Sequence, residues 1–457
     1  MSSTIKRNKY EIDMCNGTIM DKLISFSLPL MLSGILQLMF NAVDIIVIGR
    51  FSGSQSLAAV GSTTALINMF TNLFIGISLG ANVLSARFYA AGKDKEMSET
   101  VHTAITLALI SGIIMVFVGL IFAKPVLELM DTPDDVINLS TLYMRIYFMG
   151  MPFFMLYNYG ASILRAVGDT KRPLFYLIVA GIANAGLNMC LVIIFHLGVA
   201  GVAIGTVISQ LISSILVLRC LYQSETSYQR RFSKLKIQKE YLKQIFQVGI
   251  PAGIQSTVIN FSNVLLQSSV NSFGSIAMAG YTAANNIFGF LYVTVNAVTQ
   301  ACMSFTSQNY GVGKWKRMDR VLIDCLILSF VAMMILGNSA YFFGPKLLTI
   351  YTSNSKVIQC GMEILLYTTV TYFLCGFMDL FPGALRGMGR SGVPMILSII
   401  GTVGTRIVWI FWIFPNHRSL DILFISYPAS WIITIVLQVI CYYFVRKQLY
   451  AKMRAEA

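Results

Sequence analysis

The sequence predicts an all-α membrane protein, with twelve transmembrane helices in two homologous six-helix lobes. Three observations carry that expectation. Hydrophobic residues make up 56% of the 457 and charged residues only 12%, about half the charged share of a soluble domain, so much of the surface must face something other than water. Apolar runs of about 20 residues, each long enough to cross a hydrocarbon core as a helix, recur along the whole chain. The chain also repeats on itself at a shift of 221 residues: LRAVGDTKRP (164–173) falls on LRGMGRSGVP (385–394), Tyr89, Gly92 and Lys93 on Tyr310, Gly313 and Lys314, and Val136-Ile137 on Val357-Ile358. Two homologous halves in a hydrophobic chain are the architecture of secondary transporters, which bind near the repeat interface.

The apolar runs fall at 22–48, 56–82, 98–122, 137–160, 173–195 and 198–222 in the first half, then at 244–272, 278–302, 318–343, 357–383, 393–414 and 420–445 in the second. The first has no small-residue cleavage site after it and is too long for a signal-peptide core, so it reads as a retained span. The expected organisation is an amino-terminal lobe (1–222), a basic cytoplasmic linker (223–243) and a carboxyl-terminal lobe (244–457) with a short cytoplasmic tail. The linker carries Arg230, Arg231, Lys234, Lys236 and Lys239. It reads either as a segment lying on the anionic inner leaflet or as a solvated connection. The remaining loops are short, so neighbouring spans are antiparallel.

The net charge of +14 invites a nucleic-acid reading, but placement decides against it. With a cytoplasmic amino terminus, 27 of the 34 Lys and Arg fall on the inner side and five (Arg50, Lys124, Lys346, Lys356, Arg418) on the outer, with Arg145 and Arg406 inside spans. That is the positive-inside pattern of a multi-pass protein of the cell membrane with both termini cytoplasmic. The eight cysteines form no CxxC pair and read as ordinary buried thiols. No GxxxxGK[ST] loop, HExxH or GxSxG occurs, and the three His are isolated. The chain is therefore expected to be neither an enzyme nor an ATP-driven pump and to need no cofactor. Transport would draw on an ion gradient.

A charge in mid-bilayer costs at least about 2.5–3.5 kcal/mol and needs a partner, a water-filled cavity or protonation. Asp44 sits in the first span among Phe40, Val43, Ile45 and Ile46, with Asn41 and Gln37 on the same helical face. It reads as a cation or proton site facing a cavity, or alternatively as half of an ion pair with Arg50 or Arg145. Asn184 and Asn188 stack at i, i+4 in the fifth span, and Thr206 lies in the sixth at a similar outer depth. The two amides serve either the ion site or helix association. Pro29 removes a backbone hydrogen bond below Asp44 and reads as a hinge. Arg406 lies deep in the eleventh span and stays charged. It must meet carbonyls, amides or a carboxylate such as Glu363, either in substrate or gating contacts or as structure. Asp324 and Asp379 read as solvated, or paired with Arg320 and Arg386.

These residues give the chain a resemblance to the multidrug and toxic-compound extrusion (MATE) transporters, prokaryotic branch, over nearly its whole length. It rests on LPLMLSGILQLMFNAVDIIVIGRFSG (28–53), ANVLSARFYAAGK (81–93), GVAGVAIGTVISQ (198–210) and the two repeat motifs. The resemblance implies a V-shaped bundle acting by alternating access, exporting amphipathic, often cationic compounds in exchange for H⁺ or Na⁺. It also implies that Asp44, Asn184, Asn188 and Thr206 form the coupling site, with Asp44 the possible Na⁺ ligand. Asn188 stands where similar transporters carry an Asp, which weakens sodium coordination and gives weight to a proton-coupled or altered site. An acid of the seventh span is replaced too, leaving Gln255 and Asn260. Gln37, Asn41, Asn158, Gln255 and Arg406 are the expected substrate-cavity residues. Expected partners are small-molecule drugs and the bilayer, with no nucleic acid, for a chain acting as a monomer. Two rival readings are a flippase for a lipid-linked precursor, which would want more cavity arginines, and a membrane scaffold or sensor without transport, which would leave the Gln37–Asn41–Asp44 stripe without a purpose.

Overall fold

The computed structural model describes residues 9–130, 132–224 and 236–456. Most of the expected 223–243 linker, including Arg230, Arg231 and Lys234, lies outside them. Among the described residues there is no strand, and nine helices are long and apolar enough to cross a membrane, ten when one bent pair is taken as a single span. In the first half these are α1 (Met20–Phe51), α2 (Gly53–Ala90), α3 (Asp94–Leu129), α6 (Lys171–Met189, continued by a π-helical turn Cys190–Ile194) and α7 (Gly198–Gln223). The fourth expected span is two helices, α4 (Asp134–Met149) and α5 (Met151–Ala166), interrupted at Gly150. Pro152 follows within the first two residues of α5 and removes a backbone donor there.

The second half runs from α8 (Lys239–Asn271) through α9 (Ser275–Gly311) and α10 (Trp315–Phe342) to the short α11 (Gly344–Thr349). Next come α12 (Ser355–Thr369) and α13 (Tyr372–Gly387), bent 44° to each other. The eleventh span is α14 (Gly392–Ser398), a π turn (Ile399–Gly404), α15 (Thr405–Val408) and a second π turn (Trp409–Ile413), and α16 (Leu420–Glu456) closes the chain. α8 falls short on apolarity because it carries Gln255, Asn260, Ser262, Asn263 and Gln267. A helix with that polar content needs protein or water on part of its surface.

The sequence repeat is a repeat of turns. Gly92 and Gly313, and likewise Gly168 and Gly389, hold φ values of +66°, +70°, +96° and +80°. After each, the next amide closes a six-residue turn on the preceding helix: Lys93 N to Phe88 O (3.0 Å), Lys314 N to Asn309 O, Asp169 N to Leu164 O and Arg390 N to Leu385 O (2.9 Å each). This left-handed helix stop suits glycine because no Cβ opposes it.

The chain forms two compact units, Met1–Asp13 with Leu28–Gly253 and Met14–Ser27 with Ile254–Ala457. Of the three divisions, one precedes α1 at Asp13–Met14 and two fall inside helices, within α1 next to Pro29 and within α8 next to Pro251; none falls in the 223–243 segment. In the first unit α5 packs on α2, α3 and α7, and α6 pairs with α7; in the second, α9 packs on α10, α12 and α13. The amino-terminal part of α8 meets α2 within the first unit through four glycines. A Cβ on Gly76 would strike the backbone of Gly253, one on Gly80 the carbonyl of Ile245, and one on Gly253 the carbonyl of Leu73 at 2.6 Å. Small residues permit this backbone approach, and packing is what holds helices together in lipid.

Gly80→Leu is therefore expected to destabilise the protein by about 1–3 kcal/mol or more, the usual cost of overpacking. Gly61→Ala, on the same helix with nothing within 4 Å of its Cβ, should be neutral or slightly stabilising. Thermal denaturation of the two purified variants checks this, and equal melting temperatures would remove the crossing from the account.

Candidate functional site

Three helices of the first unit bring the four expected coupling residues together. Asp44 on α1 is 8% exposed. Asn188 on α6, fully buried, donates through Nδ2 to Asp44 Oδ1 and, at 3.3 Å, to Asn184 Oδ1. Asn184 Nδ2 lies 3.4 Å from Thr206 Oγ1 on α7. Thr206 Oγ1 in turn lies 3.5 Å from Asp44 Oδ2 and 3.0 Å from Val202 O. The hydroxyl has one proton for those two acceptors, so its bond to Asp44 is a shared one. The four side chains close a ring around a single acid whose partners are two neutral groups, an amide and a hydroxyl, rather than Arg50 or Arg145, which are both exposed. Within the ring Asn188 Oδ1 is buried with no hydrogen-bond partner among the described residues.

Local sequence explains the convergence. A Cβ on Gly205 would overlap Asn188 Oδ1, and one on Gly181 would overlap the ring of Phe40, four residues before Asp44. These two glycines let α7 and α1 close on α6. The π turn at Cys190–Ile194 begins two residues after Asn188, and such turns occur often at functional sites. It leads through His196 (φ +52°) and Gly198 (φ +52°) into a tight return that places Thr206 beside Asn184.

Two side chains were missed by sequence reasoning. Tyr143 and Tyr147 on α4, with ring centroids 6.0 Å apart, both lie close enough to Asp44 to feel its charge. The available signal was their i, i+4 spacing beside Arg145, but aromatics on a span read as core by default.

The expected cavity residues are not drawn together in the same way. Gln37 and Asn41 share a helical face with Asp44 yet are exposed. Burial depends on which neighbour covers a position, and Asn188 and Thr206 cover Asp44. Asn158 on α5 is half-buried and donates to Phe154 O of its own helix at 2.8 Å. In the second unit Gln255 Oε1 accepts from Arg386 Nη2 at 2.7 Å, and Asp324 pairs with Arg320 at 3.0 Å. Arg406 is 3% exposed. Its Nη1 donates to Ser262 Oγ (2.8 Å) and Asn263 Oδ1 (2.7 Å) on α8, and its guanidinium carbon lies 4.7 Å from the ring centre of Tyr427 on α16. A hydroxyl, an amide and an aromatic face thus meet the charge, not Glu363. Among the described residues no three His, Cys, Asp or Glu gather as for a metal ion.

Comparison with known proteins places this geometry. The MatE family profile matches twice, over residues 29–190 and 251–412, once in each half. The chain belongs to the MatE family. It is a membrane transporter of the MATE multidrug efflux type, prokaryotic branch. It is 29% identical to the probable multidrug resistance protein YoeA of Bacillus subtilis, with 93% of each chain covered. With the multidrug export protein MepA of Staphylococcus aureus it shares 23% identity over 83% of this chain and 84% of the relative. Its fold matches a solved outward-facing multidrug resistance MATE transporter at TM-score 0.89 and 20% identity, covering 98% of this chain and all of the other. A MATE protein in the bent conformation matches at 0.86 and 20% identity, covering 95% and 96%.

Because the Asp44 carboxylate is buried, losing its nearest donor leaves a charged group underserved, at a cost of about 1–3 kcal/mol. Asn188→Leu should lower the melting temperature accordingly, and Gly205→Ala, which displaces the same amide, should act in the same direction. Gly186→Ala, on the same helix with open space at its Cβ, should leave melting unchanged. A silent Gly205→Ala would show that the ring does not depend on that close approach.

Proposed function

We propose that this MatE protein is a secondary active antiporter of the cell membrane that exports amphipathic, mainly cationic compounds by alternating access, in exchange for a proton taken up at Asp44. The observation that carries this is the closed ring of Asp44, Asn188, Asn184 and Thr206, in which one buried acid has only neutral partners. Adding a single positive charge changes the ring's net charge completely, and a buried charge is costly enough for that change to bias helix packing. Protonation also supplies what the ring lacks. A carboxylic O–H is a donor, and rotation of the Asn188 amide would turn its unpartnered oxygen toward it.

Pro29, beside the division of α1, is the proposed hinge through which the change at Asp44 reaches the rest of that helix. Linkage then requires that drug and cation weaken each other's binding by the same factor. Sodium is the second reading. Asn184 Oδ1, Asn188 Oδ1, Thr206 Oγ1 and an Asp44 oxygen are hard donors of the kind it takes, but with one carboxylate among them. The distribution of Lys and Arg supports cytoplasmic termini, and the chain is proposed to work as a monomer with small-molecule drugs and lipid as its partners. The names of YoeA and MepA support the drug-export class.

Ethidium efflux from vesicles, with a pH or a sodium gradient imposed separately, tests the proposal. Wild type should follow the pH gradient, and Asp44→Asn should abolish coupled efflux at unchanged expression. Efflux driven by sodium alone would move the site to the second reading. Full efflux from Asp44→Asn would end the coupling role, and absence of flux under both gradients would favour a lipid-linked precursor or a non-transporting role.

A further inference from the structure

In the second unit a permanent positive charge is sealed inside a membrane-spanning helix without a carboxylate. The groups that touch Arg406 are Ser262, Asn263 and the ring of Tyr427, and none is a carboxylate. Nη1 is fully used on Ser262 and Asn263, which fixes the orientation of the guanidinium plane. Among the described residues Nε is buried without any acceptor, and no bond is made by Nη2. Nε–H and one Nη2–H point the same way, and this edge is the one that grips a carboxylate with two parallel bonds. Around it Tyr427 lies under the guanidinium and bonds its hydroxyl to that of Tyr281 at 2.9 Å. Arg406 itself sits in the single α-turn between two π turns, Ile399–Gly404 and Trp409–Ile413, a backbone irregularity concentrated at functional sites.

The location is not arbitrary. Tyr427 follows Thr206 by the repeat distance of 221, and Arg406 falls within one residue of the position that repeats Asn184. Ser262 and Asn263 lie on α8, the repeat of α1. The second unit therefore holds, at the counterpart of the Asp44 ring, a cluster of opposite sign with one bidentate edge left open.

We propose that the Nε–Nη2 edge of Arg406 is an anion-binding subsite that receives the carboxylate of an amphipathic ligand. Zwitterionic and acidic amphiphiles then join cations as ligands of this chain. The inference rests on the small-molecule transport reading but not on the identity of the coupling ion.

Two dyes that differ at one group provide the test. Rhodamine 110 carries a free carboxylate and rhodamine 123 is its methyl ester. Binding to the purified full chain is followed by fluorescence polarisation with no gradient present. Arg406→Met should weaken rhodamine 110 by about ten- to a hundredfold and rhodamine 123 by less than about threefold. Arg406→Lys, which keeps the charge but lacks the planar fork, should fall between. On wild type, benzoate should displace rhodamine 110 and raise the melting temperature, while its neutral isostere benzamide does neither. The benzoate measurement needs neither a stable Arg406→Met protein nor transport of either dye, so its result separates this inference from the proposed function. Equal loss of both dyes in Arg406→Met, or no difference between benzoate and benzamide on wild type, overturns the proposal.

Discussion

A charge that cannot reach water must be compensated by its own neighbourhood, and this requirement organises both units. In hydrocarbon the alternatives are a partner, a wet cavity or neutralisation. The first unit meets Asp44 with an amide and a hydroxyl, and the second surrounds Arg406 with a hydroxyl, an amide and an aromatic face. Neither charge meets an opposite one among the partners that touch it. An internal ion pair would satisfy the electrostatics and fix the site in one state. Neutral dipoles hold the charge in place without cancelling it.

Such sites need helices that approach closely, and glycine supplies the approach. Gly205 and Gly181 set α7 and α1 against α6, as Gly76, Gly80, Gly249 and Gly253 set α8 against α2. These positions do different work from the turn glycines Gly92, Gly168, Gly313 and Gly389, whose positive φ stops a helix. In the first class a side chain would collide with a neighbour. In the second it would oppose the backbone itself. The distinction explains why the repeat is easiest to see in the turn motifs: turn geometry constrains a short local string, whereas a close crossing constrains residues far apart in sequence.

The same reasoning sets what sequence alone could reveal. Span count and the two-fold repeat were legible because they follow from hydropathy and from local turn chemistry. Asp44, Asn184, Asn188 and Thr206 were legible as a group because polar residues on apolar helices are few and lie at one depth. Three things were not legible. The unit boundaries inside α1 and α8 depend on which helices each end packs against. Exposure of Gln37 and Asn41 depends on which neighbour covers each position, which no helical wheel contains. Tyr143 and Tyr147 looked like any aromatic pair until α4 was placed beside Asp44.

The repeat also shows how one scaffold yields two chemistries. Span one, span five and span six of each half converge at the same place, marked by Asp44, Asn184 and Thr206 in one unit and by α8, Arg406 and Tyr427 in the other. Both places have a π turn beside the key residue, so the backbone irregularity is the shared inheritance and the side chains are the variable part. A carboxylate in one half and a guanidinium in the other make the two sites complementary in the ions they attract. Each unit thus holds one buried charge among neutral dipoles, and its sign follows from which span carries the charged side chain, span one for Asp44 and span five of the second half for Arg406.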